Sequence, residues 1–143
     1  LHLVGKLQTN KVKSALKIFD FIHSLDSLKL AKKISEEQKN LSNKPKIFIQ
    51  INIGNETQKS GINKDDVKDF YKQCLNFNLD IIGIMCLPPL NSDPDPFFSE
   101  MNKINLNLNL NEISMGMSND YMKAIEFNST YLRIGSSIFG KRI

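Results

Sequence analysis

The 143-residue sequence has few cysteines, no long apolar run and no dense block of one charge. Its two cysteines, Cys74 and Cys86, form no C-x-x-C pair or Cys/His cluster, which argues against a metal site and a disulfide framework. The apolar runs fall well short of the roughly 18 to 20 residues that a membrane helix needs. Lysine and arginine exceed aspartate and glutamate by four, but they are scattered, whereas a nucleic-acid-binding surface needs them clustered.

The residues that are present indicate a globular protein. Apolar residues make up 41% of the chain and charged residues 24%, which is enough apolar surface for one domain with a core. We expect a single domain over residues 1–143, with both cysteines in its core. No leader-like order of charged and then apolar residues opens the sequence, so we expect a cytoplasmic location. Because Leu1 already lies in an apolar, strand-like segment, we also expect the natural protein to begin earlier.

Short apolar runs alternate with longer stretches of 3.6-residue periodicity, which predicts successive strands and helices. The predicted strands are residues 1–4, 21–24, 47–53, 81–87, 113–117 and 131–135. The predicted helices are residues 10–19, 65–77, 97–106 and 120–127, a helix from a cap at Asp26 or Ser27 toward Leu41, and a terminal turn or helix from Ser137. Strands that are almost fully apolar are typical of a parallel sheet covered by helices, either open or closed into a barrel.

Glycine and hydroxyl residues follow the last two predicted strands. Gly116 and Ser118 follow the fifth strand and precede a helix, and Gly135 and Ser136 repeat this pattern one unit later. Backbone N–H groups at such turns suit a phosphate group, and barrels of this class bind phosphate after their last two strands. Taken alone, the first segment is better explained as a helix cap by Ser118 or Asn119. The repetition makes phosphate binding the more specific interpretation.

Other polar residues lie within or just after apolar strands. Arg133 needs a partner for its charge, either a neighbouring carboxylate in a structural salt bridge or a ligand of the adjacent motif. Gln50 and Asn52 share one strand face, where they either satisfy each other inside a barrel or line the mouth of a pocket. We expect His2 to be a hydrogen-bonded core histidine. Asn10 lies in the loop after the first strand, on the functional face of a barrel.

Six ordered segments carry a resemblance to a known family. They are residues 2–11, 23–27, 50–52 with 59–61, 83–85, 114–118 and 133–140. In these segments the sequence resembles the pyridoxal phosphate homeostasis protein family, and the resemblance covers the whole chain. It implies a TIM-type (β/α)8 barrel like the N-terminal domain of alanine racemase, of which about the last six β/α units are present here.

The resemblance also implies a protein that binds pyridoxal 5′-phosphate (PLP), acts in vitamin B6 homeostasis and has no robust catalytic activity. By this resemblance Arg133 faces the pyridine nitrogen of PLP. A guanidinium there disfavours protonation of the ring nitrogen and makes the ring a poorer electron sink, which fits a carrier better than an enzyme. The predicted cofactor-binding residues are Ser118, Arg133, Gly135, Ser136, Asn52 and Asn10.

In the family, the lysine that forms a Schiff base with PLP lies on the first barrel strand. The sequence has no such strand before His2, and we expect this lysine in an upstream segment. The implied partner is the small-molecule cofactor, without nucleic acid or membrane, and the full-length protein is expected to be a monomer.

The sequence alone leaves two other functions open. An amino-acid racemase of the alanine-racemase type would need a second catalytic base, usually a tyrosine, and Tyr71, Tyr121 and Tyr131 are poorly placed for that role. A phosphate-binding barrel enzyme of another family, with a sugar phosphate in place of PLP, fits the strand-end pattern equally well. The six matching segments are what favours PLP.

Overall fold

The computed structural model of the chain describes residues 1–140. Its strands are β1 (His2–Leu3), β2 (Phe21–Leu25), β3 (Lys46–Asn52), β4 (Ile62–Asn63), β5 (Asp80–Cys86), β6 (Glu112–Met117) and β7 (Tyr131–Arg133). Its α-helices are α1 (Val12–Ala15), α2 (Leu28–Glu37), α3 (Val67–Asn76), α4 (Asp95–Asn107), α5 (Tyr121–Glu126) and α6 (Ser136–Phe139). Short 3₁₀ helices precede α1 (Thr9–Lys11) and follow α2 (Gln38–Asn40). None of the helices in this range has the length and apolar character that crossing a bilayer requires.

All strands pair in parallel within one curled sheet. The strand order is β1-β2-β3-β5-β6-β7, and β4 pairs with β3 beside this path. The curl brings the ring of Tyr131 on β7 within 5.2 Å of the ring of Phe48 on β3 and within 5.9 Å of Phe21 on β2, measured between ring centroids. The result is a parallel half-barrel with helices, which confirms the predicted α/β class.

Strand β3 shows why the predicted strands are so apolar. Ile47, Ile49 and Ile51 are at most 1% exposed and belong to the main apolar core. Alternate residues of a strand point to opposite faces. Phe48 therefore lies on the other face, where its ring stacks on His23 with centroids 4.3 Å apart. Because β3 is buried on both faces, its sequence is a nearly continuous apolar run.

The predicted elements are found, with differences at their ends. Each of the six predicted strands overlaps an observed strand, whereas the two-residue β4 is too short to show any periodicity. Ser27 is the cap of α2, since its Oγ accepts a hydrogen bond from the N–H of Leu30 (3.3 Å). The predicted helix over residues 10–19 is shorter in the structure, where the 3₁₀ helix and the four-residue α1 end at Ala15 and a turn follows over residues 16–18. The chain must leave the helix early there, because the N–H of Asp20 already bonds to the carbonyl oxygen of Leu1 beside the sheet.

Both cysteines lie in the core, as predicted. Cys74 on α3 and Cys86 at the end of β5 are each 0% exposed, and burial raises the pKa of each thiol to about 12. Because the thiolate is the reactive form, we expect neither cysteine to react with a thiol reagent such as DTNB in the native chain, and both to react in denaturant. Rapid labelling of either cysteine without denaturant would contradict this packing.

Candidate functional site

A large cavity opens at the carboxyl ends of the strands. Its volume is about 1260 Å³, and its walls come from β1, β2 and β7 together with the loops that follow β5, β6 and β7. In α/β barrels ligands bind at this end of the strands. The cavity brings together four of the six predicted cofactor-binding residues, namely Ser118, Arg133, Gly135 and Ser136. We call it the Arg133 cavity.

The turn after β7 folds onto Ser118. The Oγ of Ser118 accepts hydrogen bonds from the backbone N–H groups of Gly135 (3.3 Å) and Ser137 (3.2 Å). The Ser137 hydroxyl in turn donates to the carbonyl oxygen of Ser118 (3.5 Å). Backbone donors at the start of α6 therefore converge with a hydroxyl group, which is the kind of arrangement that holds phosphate oxygens. Because Ser118 Oγ accepts both bonds, its own proton can be donated to a ligand.

Gly135 leaves open space within this turn. A β-carbon built at Gly135 would have no heavy atom within 4 Å. A side chain there would extend into the cavity beside the converging N–H groups. Protein packing does not require glycine at this position, so the open space is available to a ligand in the cavity.

Gly116 serves the fold instead. Its φ is +94°, and a β-carbon would lie only 2.6 Å from the β-carbon of Ala124 on α5. Glycine is needed because the chain turns sharply and closely over α5 at this point. The turn carries the chain from β6 to Ser118 at the edge of the cavity.

Two neutral oxygens hold Arg133. Its Nη1 donates to Ser114 Oγ (2.7 Å), and its Nη2 donates to the carbonyl oxygen of Cys86 (2.7 Å). Arg133 forms no ion pair with any carboxylate of residues 1–140. Within these residues, the interpretation of Arg133 as one half of a structural salt bridge is therefore wrong. Burial lowers the pKa of the guanidinium, but arginine stays protonated. Its positive charge therefore acts on the cavity without a paired anion.

Ser114 links Arg133 to two histidines. His23 Nδ1 lies 2.8 Å from Ser114 Oγ, and His23 Nε2 lies 3.1 Å from His2 Nδ1. Sequence reasoning singled out neither Ser114 nor His23 as a site residue, although both lie in segments that carry the family resemblance. His2 is hydrogen bonded, as predicted, but it is exposed and not a core residue, because β1 pairs on one side only.

Asn52 does not reach the Arg133 cavity. Its side-chain amide donates to the carbonyl oxygen of Glu56 (2.8 Å) and accepts from the N–H of Glu56 (3.1 Å). Gln50 donates to the carbonyl oxygen of Ser60 (3.2 Å). The two side chains thus hold the loop between β3 and β4 and do not bond to each other. Asn52 lines a separate, smaller cleft.

Asn10 also lies apart from Arg133. It is exposed in the 3₁₀ helix before α1 and lines a groove with Lys6, Asp26 and Thr57. Asn10 follows β1 and Asn52 is the last residue of β3, both at the expected end of the sheet, but each lines a cleft apart from the Arg133 cavity. A role for Asn10 or Asn52 in cofactor binding stays a prediction.

Acidification is expected to destabilise the fold through His23. Burial lowers the pKa of His23 from 6.5 to about 4, and the positive charges of His2 and Arg133 act in the same direction. Between these values the unfolded chain binds a proton that the folded chain does not, so the free energy of unfolding should fall by up to about 3 kcal/mol as the pH drops through this window. Urea unfolding at several pH values measures the fall. The fall in the free energy of unfolding should be smaller in His23→Asn. An unchanged pH dependence in this variant would contradict the assignment of the fall to His23.

Comparisons with known proteins identify the family. Residues 1–142 match the family model described as "Alanine racemase, N-terminal domain". The pyridoxal phosphate homeostasis proteins of Aquifex aeolicus and Synechocystis sp. are each 34% identical to this chain over 99% of its length, and the chain covers 66% and 70% of theirs. The structure of PipY from Synechococcus elongatus with PLP bound matches with a TM-score of 0.88 and 31% identity, over 97% of this chain and 69% of the PipY chain.

These matches run along nearly the whole chain and are not confined to one motif. The chain spans about two thirds of the length of the curated relatives that it matches. The chain therefore belongs to the alanine racemase N-terminal domain family and, within it, to the pyridoxal phosphate homeostasis proteins.

Proposed function

We propose that the chain binds PLP in the Arg133 cavity and acts in PLP homeostasis as a carrier and not as an enzyme. One observation carries the proposal: a cradle of hydroxyl and backbone N–H groups lines the same cavity as a guanidinium that has no carboxylate partner among residues 1–140. PLP offers a phosphate and a pyridine nitrogen on one rigid ring. The names of the relatives and the PLP-bound PipY structure support the same ligand.

Different site residues would bind the phosphate and the pyridine ring of the cofactor. Ser118 would donate its hydroxyl proton to the phosphate, together with the N–H and hydroxyl of Ser136, while the N–H of Gly135 stays bonded to Ser118 Oγ. The space beside Gly135 is open for the phosphate oxygens. Arg133 would donate to the pyridine nitrogen and so keep that nitrogen unprotonated.

The arrangement supports a carrier over a racemase. Bound PLP supplies an electron-accepting ring, and a guanidinium at the ring nitrogen weakens that capacity. A racemase also needs a base that faces the cofactor. Tyr131 lines the cavity, but its ring packs edge-on against Phe48 with centroids 5.2 Å apart. Tyr71 on α3 and Tyr121 on α5 do not line this cavity.

We also propose that the half-barrel is part of an eight-stranded TIM-type barrel. The chain would supply about the last six β/α units, as one domain over residues 1–143. The parallel strand order and the curl of the sheet support this, as does the coverage of about two thirds of the relatives. The whole protein would act as a cytoplasmic monomer.

A methyl group at Gly135 is expected to block binding without harming the fold. Gly135→Ala places a β-carbon where the phosphate oxygens are expected, so PLP affinity should fall at least about tenfold, or about 1.4 kcal/mol. The free energy of unfolding should change by less than about 0.5 kcal/mol, because the β-carbon meets no protein atom. Absorbance titration with PLP and urea unfolding measure the two effects.

Gly5→Ala is the matched control for this experiment. A β-carbon at Gly5 also has no heavy atom within 4 Å, but Gly5 does not line the Arg133 cavity. Pyridoxal, which lacks the phosphate, should not distinguish the two variants. Equal PLP affinity in Gly135→Ala and Gly5→Ala would contradict the proposed phosphate position.

A further inference from the structure

The hydroxyl of Ser114 has one proton and two polar neighbours. Arg133 Nη1 lies 2.7 Å from its Oγ, and His23 Nδ1 lies 2.8 Å from it. Arginine can only donate, so the oxygen accepts from Arg133. Ser114 is 0% exposed, and among residues 1–140 its Oγ has no third hydrogen-bond partner. An unpaired buried hydroxyl proton is unfavourable, so the proton of Ser114 is donated to His23 Nδ1.

This direction fixes the tautomer of His23. Because Nδ1 accepts, the neutral imidazole carries its proton on Nε2, from where it donates to Nδ1 of His2 (3.1 Å). The lowered pKa of His23 agrees with a neutral ring. The imidazole is also held in place, since Phe48 stacks on it with centroids 4.3 Å apart and the ring of Tyr131 stands edge-on at 5.8 Å.

We infer that Ser114 and His23 are positioning residues. They form a one-way hydrogen-bond relay in which Arg133 donates to Ser114, Ser114 to His23, and His23 to His2. With the carbonyl oxygen of Cys86 as a second acceptor, the relay holds the guanidinium in one orientation and leaves its other N–H groups to a ligand in the cavity. The relay follows from the contacts of the chain itself, whereas its effect on PLP rests on the proposed function.

Nitrogen-15 NMR of the histidine side chains tests the relay on the full chain without cofactor. In the wild type we expect a single neutral form of His23 with its proton on Nε2. Ser114→Ala removes the donor to Nδ1, so both tautomers should be populated. Ser24→Ala is the matched control. Ser24 lies on β2 and is buried like Ser114, but its hydroxyl group has no hydrogen-bond partner among the described residues. A proton on Nδ1 of His23 in the wild type would overturn the relay.

PLP titration of the same variants tests the positioning role. Ser114→Ala should weaken PLP binding about tenfold, whereas Ser24→Ala should bind like the wild type. Equal affinity of Ser114→Ala and Ser24→Ala would overturn the positioning role. If the wild type fails to bind PLP while His23 carries its proton on Nε2, the proposed function fails and the relay stands.

Discussion

Replacing Arg133 with alanine is expected to lower the affinity for PLP by about 100-fold. A hydrogen bond from a charged donor contributes about 1.5–3 kcal/mol, and each 1.4 kcal/mol or so is a tenfold change in affinity. The variant loses this bond to the ring nitrogen and also leaves Ser114 and the carbonyl oxygen of Cys86 without their donor. Absorbance titration with PLP measures the loss.

Lys123→Ala is the matched control for Arg133→Ala. Lys123 also lines the cavity, but its ammonium group is paired with Asp95 (2.8 Å) and is half exposed. Its removal should change PLP affinity by less than about threefold, since an exposed and paired charge contributes little. An equal loss in both variants would mean that positive charge in general, and not the placed guanidinium, attracts the cofactor.

Gly83→Ala is expected to destabilise the fold by about 3 kcal/mol or more. No other substitution proposed for this chain is expected to lower its stability as much. Gly83 on β5 pairs with Glu112 on β6. A β-carbon at Gly83 would overlap the carbonyl oxygen of Glu112 and lie 2.7 Å from its carbonyl carbon. Backbone cannot give way as a flexible side chain does, so the two strands would have to separate. Urea unfolding measures the loss of stability.

Gly5→Ala again provides the comparison for Gly83→Ala. It makes the same chemical change at a position where the added methyl group meets no heavy atom within 4 Å. We expect a change in the free energy of unfolding of less than about 0.5 kcal/mol. Similar stabilities for Gly5→Ala and Gly83→Ala would contradict the close contact between β5 and β6.

The features that could be predicted from sequence are those fixed by local pattern. The strands of the main path are short apolar runs, and the phosphate cradle combines glycine and serine after two successive strands. Ser118, Gly135 and Ser136 were therefore predicted at one site, and the structure places them in one cavity with Arg133. The family resemblance supplied the cofactor, which the residue pattern alone left open to other phosphates.

The features that could not be predicted depend on distant contacts. Ser114 on β6 and His23 on β2 are 91 positions apart, and they meet because the sheet curls. One of the two hydrogen-bond partners of Arg133 is the carbonyl oxygen of Cys86, a backbone atom that sequence does not distinguish from any other. Asn52 follows the predicted face of its strand, but the loop after β3 turns back and satisfies its amide.

The most direct test of the proposed site is NMR of the nitrogen-15-labelled chain during titration with PLP. We expect saturable shift changes at the backbone amides of Ser118, Gly135, Ser136 and Ser137 and at the guanidinium of Arg133, with Gly135→Ala weakening the binding. No saturable binding, or shift changes confined to residues outside the Arg133 cavity, would contradict the assignment of this cavity as the PLP site.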